Sequence, residues 1–335
     1  MVKCPKSTSE FHAERRILNA LRDQHNSHII TLLATFSLAQ KNYLLFPAAT
    51  KDLWQFWMED TRWGSCPWVH SDLLVWVVEE MSGLAGAIRT IHNFKMGGED
   101  VFGRHGDVKA ANILLYTSTT GSETWTTLRL ADMGSSMMLF DEQSRWTIKP
   151  APGTGTYEPP ECELLELQSQ AYDMWMLGCV FLEFLVWLLE GSSGLRAFGE
   201  RRSLTTPFHG VVFTNDYFYS IIYDENKKEF YAELRPSVRQ TIAELHRISN
   251  SRLLRDLLNI VENDLLSVDQ HARATSLELS LKLENLLKRE RKLRYKMDVA
   301  GTGAQFRLDH GELQLSALLK QQLHHRLVPV LCSPR

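Results

Sequence analysis

Residues 105–115 read His105-Gly106-Asp107-Val108-Lys109-Ala110-Ala111-Asn112-Ile113-Leu114-Leu115. A carboxylate, a cation and a carboxamide fall within six residues, and an aliphatic, strand-like run follows. Taken alone, Asp107 and Asn112 could merely cap turns, as these side chains commonly do. The surroundings give them weight. Asp132-Met133-Gly134 comes twenty residues after Asn112, closing a second strand-like run, Thr127-Leu128-Arg129-Leu130-Ala131-Asp132. Further on stand Gly153-Thr154-Gly155-Thr156-Tyr157-Glu158-Pro159-Pro160-Glu161 and Asp173-Met174-Trp175-Met176-Leu177-Gly178.

The rest of the chain bounds the answer. Its 335 residues are 44% hydrophobic, with 37 basic and 40 acidic side chains and a net charge of −3. That length suits two domains or one large bilobal unit. A dedicated nucleic-acid binder would show a strong basic excess, so no nucleic-acid partner is expected. The five cysteines, Cys4, Cys66, Cys162, Cys179 and Cys332, are scattered without a C-x-x-C pair. A reducing, intracellular setting, cytoplasmic or nuclear, is the expectation. The polar start, MVKCPKSTSEFHAERR, is no signal peptide. Met174–Leu189 is the one stretch that invites a membrane reading. At about 1.5 Å per residue it falls short of a hydrocarbon core, and Glu183 interrupts it, so a buried central helix is expected and no membrane span.

Hydrophobic spacing predicts a helix over 9–23 and an amphipathic helix over 71–92. Runs 28–37 and 42–49 read as a hairpin, and 95–107 as a Gly-rich loop. From about 172 onward the pattern is helical, with loops near 191–210 and 224–228. Residues 275–297 end in the basic run KRERKLRYK, read as a solvated helix end, and Leu313–Leu327 is a possible amphipathic helix. His25, His28, His324 and His325 lack a metal-ligand set and are read as solvated. On the first helix, Glu14 shares a stripe with Phe11, Leu18 and Leu21, where a carboxylate needs a partner unless the stripe is exposed.

In order and spacing these motifs resemble the protein-kinase catalytic loop, metal-binding triplet, activation-segment end and central helix. The resemblance covers roughly residues 1–288. It is nearest to fungal serine/threonine kinase-like proteins, through GRHGDVKAANIL, LGCVFLEFLVWLL and VRQTIAEL. It implies an α+β bilobal fold: a partial β-rich N-lobe and hinge (1–52), a helical C-lobe (53–288) and a polar tail (289–335). It also implies an ATP-dependent kinase acting on serine or threonine hydroxyls of a protein substrate, with Mg²⁺; the oligomeric state is not readable. Asp107 would orient or accept the proton of the hydroxyl, and Lys109 would offset charge on the moving phosphoryl. Asn112 and Asp132 would supply oxygens to Mg²⁺.

The resemblance further pairs Glu14 with a strand lysine that holds the α- and β-phosphates. Lys3 stands in that position, eleven residues before Glu14, and Lys6 is its rival. Phe46 would back the adenine slot. The carbonyl of Pro47 and the N–H and carbonyl of Ala49 would face the base, and Asp52 the ribose. Glu161 would pair with Arg273, and Asp173 would anchor the catalytic loop. Four departures stand out: no Gly-rich phosphate loop precedes Lys3, so the chain reads as beginning at the third strand. Gly106 replaces an arginine, Met133 an aromatic, and Pro159-Pro160 and Lys109-Ala110 stand for Ala-Pro and Lys-Pro. The absent loop keeps open a second reading, a pseudokinase acting as a binding scaffold.

Overall fold

Ser7 is a helix N-cap: its Oγ accepts from Glu10 N–H at 3.1 Å, and Glu10 Oε2 reaches back to accept from Lys6 N–H at 2.8 Å. This starts the first helix, whose buried stripe is Phe11, Glu14, Ile17, Leu18 and Leu21. The computed structural model describes residues 1–59, 71–120, 123–139, 155–164, 169–208 and 211–302. Strand β1 (Val2–Lys3), helix α1 (Thr8–Arg22), β2 (Ala34–Leu38) and β3 (Lys41–Leu45) make the small lobe, with sheet order β1-β3-β2. The β2–β3 turn bends at Ala39 and Gln40, both with positive φ (48° and 62°), which suits a tight two-residue hairpin.

The larger lobe begins at β4 (Lys51–Asp52), α2 (Leu53–Glu59) and α3 (Ser71–His92). Two strand pairs follow: β5 (Phe94–Met96) with β6 (Glu99–Arg104), and β7 (Ile113–Thr120) with β8 (Glu123–Leu130). Then come β9 (Met137–Leu139), α4 (Glu161–Leu164) and the long α5 (Ala171–Arg202). Hairpins β10 (Leu204–Phe208) with β11 (Val211–Asn215) and β12 (Tyr219–Asp224) with β13 (Glu229–Leu234) precede α6 (Pro236–Ile248). Helix α7 (Arg252–Asn259), a π-helical turn Ile260–Leu265 and α8 (Ser276–Thr302) complete the described chain. Among the described residues, α5 alone is long and apolar enough to cross a membrane, and 89% of its most apolar window is buried inside the protein. It is the core around which α2, α3 and α6 pack.

Several expectations need correction. The 28–37 strand starts only at Ala34, because Ile29 and Ile30 are captured by Leu130: Ile29 bridges it in parallel, and Ile30 N–H donates to its carbonyl at 2.9 Å. Residues 94–104 are a hairpin rather than a loop, turning on Gly97 and Gly98 at φ 62° and 91°. The helical reading beyond 172 missed two hairpins between 204 and 234. Nor does a loop begin at 191; α5 kinks at Gly191 (φ 71°, ψ −169°) and resumes to Arg202. Helix α8 runs from Ser276 to Thr302. Within the basic run, Arg289 pairs with Asp256, and Arg291 with Glu79 at 3.0 Å. The possible helix at Leu313–Leu327, with His324 and His325, lies outside the described residues, as does Thr154.

Candidate active site

The site is built on a buried carboxylate. Asp173, in the first turn of α5, is fully buried; its Oδ2 accepts from His105 N–H at 2.7 Å and its Oδ1 from Gly106 N–H at 2.8 Å. His92 Nε2 adds a third bond to Oδ2 at 3.0 Å, and its Nδ1 meets Ser276 Oγ at 3.1 Å. Burial pushes the Asp173 carboxyl up, but its bonds to His92 and the loop N–H groups outweigh that, and its pKa ends below the ordinary value. These bonds hold 105–107 in a bent path. Gly106 takes φ 80°, and a Cβ there would lie 2.9 Å from the Ser135 carbonyl, so a side chain would be strained at this position.

His105 carries this order to the neighbouring loop. Burial lowers its pKa and keeps the ring neutral. The geometry then selects one tautomer: Nε2–H donates to the Ala131 carbonyl at 3.1 Å, and Nδ1 accepts Asp107 N–H at 3.2 Å. Asp107 and Asp132 are thereby referenced to one ring. Strands β7 and β8 do the same from below, since Ile113 pairs with Leu130 and Ala131 N–H donates to the Asn112 carbonyl at 2.8 Å.

On this base the expected loop residues converge. Lys109 Nζ lies 2.8 Å from Asp107 Oδ2. Asn112 Nδ2 donates to the Asp107 carbonyl and to Oδ2, both at 2.8 Å. The amide nitrogen is thus engaged, and Oδ1 of Asn112 is the atom it can offer a cation. Asp132 adopts a left-handed conformation (φ 65°, ψ 74°) and accepts from Gly134 N–H at 3.2 Å.

Lys3, not Lys6, completes the cluster. Its ammonium bonds Glu14 Oε1 at 2.7 Å and Asp132 Oδ1 at 2.6 Å, joining β1, α1 and the loop after β8. Burial pulls the Lys3 ammonium down, but the two carboxylates outweigh it and its pKa ends above the usual value. The carboxylates diverge. At Glu14 burial, together with the nearby Asp132 charge, outweighs Lys3 and raises its pKa; at Asp132 burial is outweighed by Lys3 and the Gly134 N–H, and its pKa falls. Asp132, 42% exposed, therefore stays ionised at the surface.

The hinge segment leads from β3 to β4. Phe46 is buried, and Thr50 N–H donates to the Leu115 carbonyl at 2.8 Å. Pro47 and Ala49 lie along this segment; the Pro47 carbonyl already accepts from the Tyr116 hydroxyl at 3.3 Å. Asp52 serves the fold: its Oδ1 accepts from Gln55 N–H at 2.8 Å, capping α2. Lower in the large lobe, Arg273 grips Glu161 through both oxygens at 2.6 and 2.7 Å, as the resemblance implied.

Other groups escaped the sequence reading. Glu183, which seemed only to interrupt an apolar helix, accepts from Tyr157 O–H at 2.7 Å and from Arg202 Nη2 at 2.9 Å. Arg202 is itself stacked against Phe198 and Phe218, each ring centre 4.1 Å away. An acid inside an all-apolar helix was the available signal, since it demands a buried partner. Arg104, on the other side of His105 from Gly106, turns its guanidinium over Tyr172 at 5.1 Å and leaves Nε and Nη1 without hydrogen-bond partners. His28 is not solvated: its Nδ1 lies 2.9 Å from the Leu128 carbonyl, and Glu80 Oε2 accepts from Leu128 N–H at 2.7 Å.

A loop carboxylate with its lysine and asparagine, a left-handed aspartate, and a lysine–glutamate pair between sheet and helix are thus tied together through His105 and the Lys3 ammonium. No curated protein matches this chain. The family model for the protein kinase domain matches residues 2–282, and the chain belongs to that family.

Proposed function

We propose that this protein transfers the γ-phosphoryl group of ATP to serine or threonine hydroxyls of a protein substrate. The observation that carries this reading is the Lys3 ammonium held between Glu14 and Asp132, on the loop that His105 ties to Asp107. Phosphoryl transfer needs positioning and charge neutralisation more than covalent help. Lys3 supplies a cation to the nucleotide phosphates, with Glu14 holding it in place. Asp107 orients the incoming hydroxyl and takes its proton as the oxygen bonds the γ-phosphorus and the bond to the β–γ bridging oxygen breaks. Lys109, on Asp107 Oδ2, balances negative charge on the moving group. Its place two residues after Asp107 supports serine/threonine rather than tyrosine as acceptor.

Mg²⁺ suits the donor set, since Asn112 Oδ1 and the ionised, exposed Asp132 are hard oxygen ligands. When bound, the ion would neutralise phosphate charge. Asn112 also positions Asp107, which its amide nitrogen grips at both backbone and side chain.

The test is Asp107→Asn, assayed by transfer from labelled ATP to a serine/threonine peptide pool. A loss of about 10²–10⁴-fold with an unchanged unfolding midpoint is expected for removal of a general base. Equal labelling by variant and parent would remove Asp107 from this role. Nucleotide binding without transfer by the parent would place the chain among non-catalytic scaffolds.

A further inference from the structure

One hinge contact is unused by the chemistry above. The Tyr116 hydroxyl on β7 donates to the Pro47 carbonyl at 3.3 Å. Register brings it there: Thr50 N–H bonds the Leu115 carbonyl, and Lys51 pairs with Leu115, lacing the hinge to the strand beside Tyr116. From β8, Arg129 lays its guanidinium 4.6 Å from the Tyr116 ring centre, which steadies the ring. Burial raises the phenol pKa, so the hydroxyl remains a neutral donor. No hydrogen bond among the described residues engages Ala49, whose N–H and carbonyl are open.

Resting on the nucleotide reading proposed above, we infer that Tyr116 sets base specificity, letting the hinge accept guanine as well as adenine nucleotides. Adenine presents an amino donor and a ring-nitrogen acceptor. Guanine presents the reverse, an O6 acceptor and an N1–H donor. In the register that suits adenine, guanine would set O6 against the Pro47 carbonyl and N1–H against Ala49 N–H, two repulsive contacts. Guanine can instead slide so that O6 accepts from Ala49 N–H and N1–H donates to the Ala49 carbonyl. That register leaves the Pro47 carbonyl without a ligand donor, and a buried acceptor left unpaired is costly. Tyr116 already supplies that donor. With adenine, the amino group and the hydroxyl share one carbonyl, so Tyr116 adds nothing to adenine binding. The hydroxyl therefore narrows the gap between the two bases.

The experiment is calorimetric titration of the full chain with Mg²⁺-ATP and with Mg²⁺-GTP. The parent is compared with Tyr116→Phe, which keeps the ring and its arginine contact. The parent should bind the two within about tenfold of each other; the variant should lose about tenfold for GTP and less than about threefold for ATP, since loss of one needed hydrogen bond is of that order. Arg129→Gln, which frees the ring without removing the hydroxyl, should shift the ratio in the same direction by less. A parent that prefers ATP by more than about a hundredfold, or a ratio unchanged in Tyr116→Phe, would overturn the role of Tyr116 and leave the kinase reading standing. Failure of the parent to bind either nucleotide would remove the nucleotide reading, and this inference with it.

Discussion

Asp132 and Asp173 are both aspartates that join distant parts of the chain, yet their surroundings are opposite. Asp173 is closed: it is fully buried and bonded to two backbone N–H groups and a buried histidine. Asp132 is 42% exposed, and its Lys3 partner is 32% exposed. The buried carboxylate uses its charge to fix a backbone path. The open one keeps its charge available while the fold holds it in a left-handed conformation that is uncommon for a non-glycine residue. The pair shows how one residue type is used up in fixing architecture in one place and left exposed and charged in another, according to burial.

Removing each carboxylate should give opposite results. Asp173→Ala leaves the two loop N–H groups and His92 without their acceptor, and should cost about 3–5 kcal/mol in urea unfolding, as for other broken buried networks. Asp132→Ala should cost less than about 1 kcal/mol, because its ion pair is solvent-screened. Equal losses would erase the distinction between the two sites.

Ligand binding should reverse that ranking. If Asp132 holds Mg²⁺ as proposed, Asp132→Ala is expected to remove most of the Mg²⁺-dependent gain in ATP affinity, about tenfold or more. Titration with and without Mg²⁺ checks this. A full Mg²⁺ effect in the variant would show that Asp132 does not hold the ion.

A third carboxylate sharpens the comparison by a smaller effect. Glu80 is buried with its Oε2 3.6 Å from His28 Nδ1, and its pKa is pushed up to about 8 by burial, against which the Leu128 N–H acts. Its folded-state pKa is raised, so between its ordinary 4.5 and about 8 the folded chain holds a proton that the unfolded chain has released. Stability should therefore fall as pH rises through that window. His28, lowered by burial, works the other way below its ordinary 6.5. The clean window is thus pH 6.5 to about 8. There the parent should lose under about 1 kcal/mol per pH unit, and Glu80→Gln should flatten the slope. Parallel curves for the two proteins would mean that Glu80 titrates normally.

How much was legible follows from how local each feature is. Asp107, Lys109 and Asn112 are close in sequence, so a single loop brings them together and their order alone points to their joint use. The α1 stripe with Glu14 and the apolar run of α5 follow from helical period, which a sequence carries on its face. Glu161 with Arg273 and the anchoring place of Asp173 were also legible, through motif order. Lys3 was placed ahead of Lys6 by its position relative to Glu14, but its bond to Asp132 was not legible, because it depends on β1 pairing with β3 so that one ammonium reaches a residue 129 positions away. The hairpins between 204 and 234 were hidden because strand pairing is a contact between segments. His28, Glu80 and Tyr116 became meaningful only when strands β7 and β8 were laid beside the hinge and α3. Residue type and spacing set which groups were on hand; packing set which were dry, charged and within bonding distance, because desolvation and hydrogen-bond geometry depend on neighbours that the linear chain does not name.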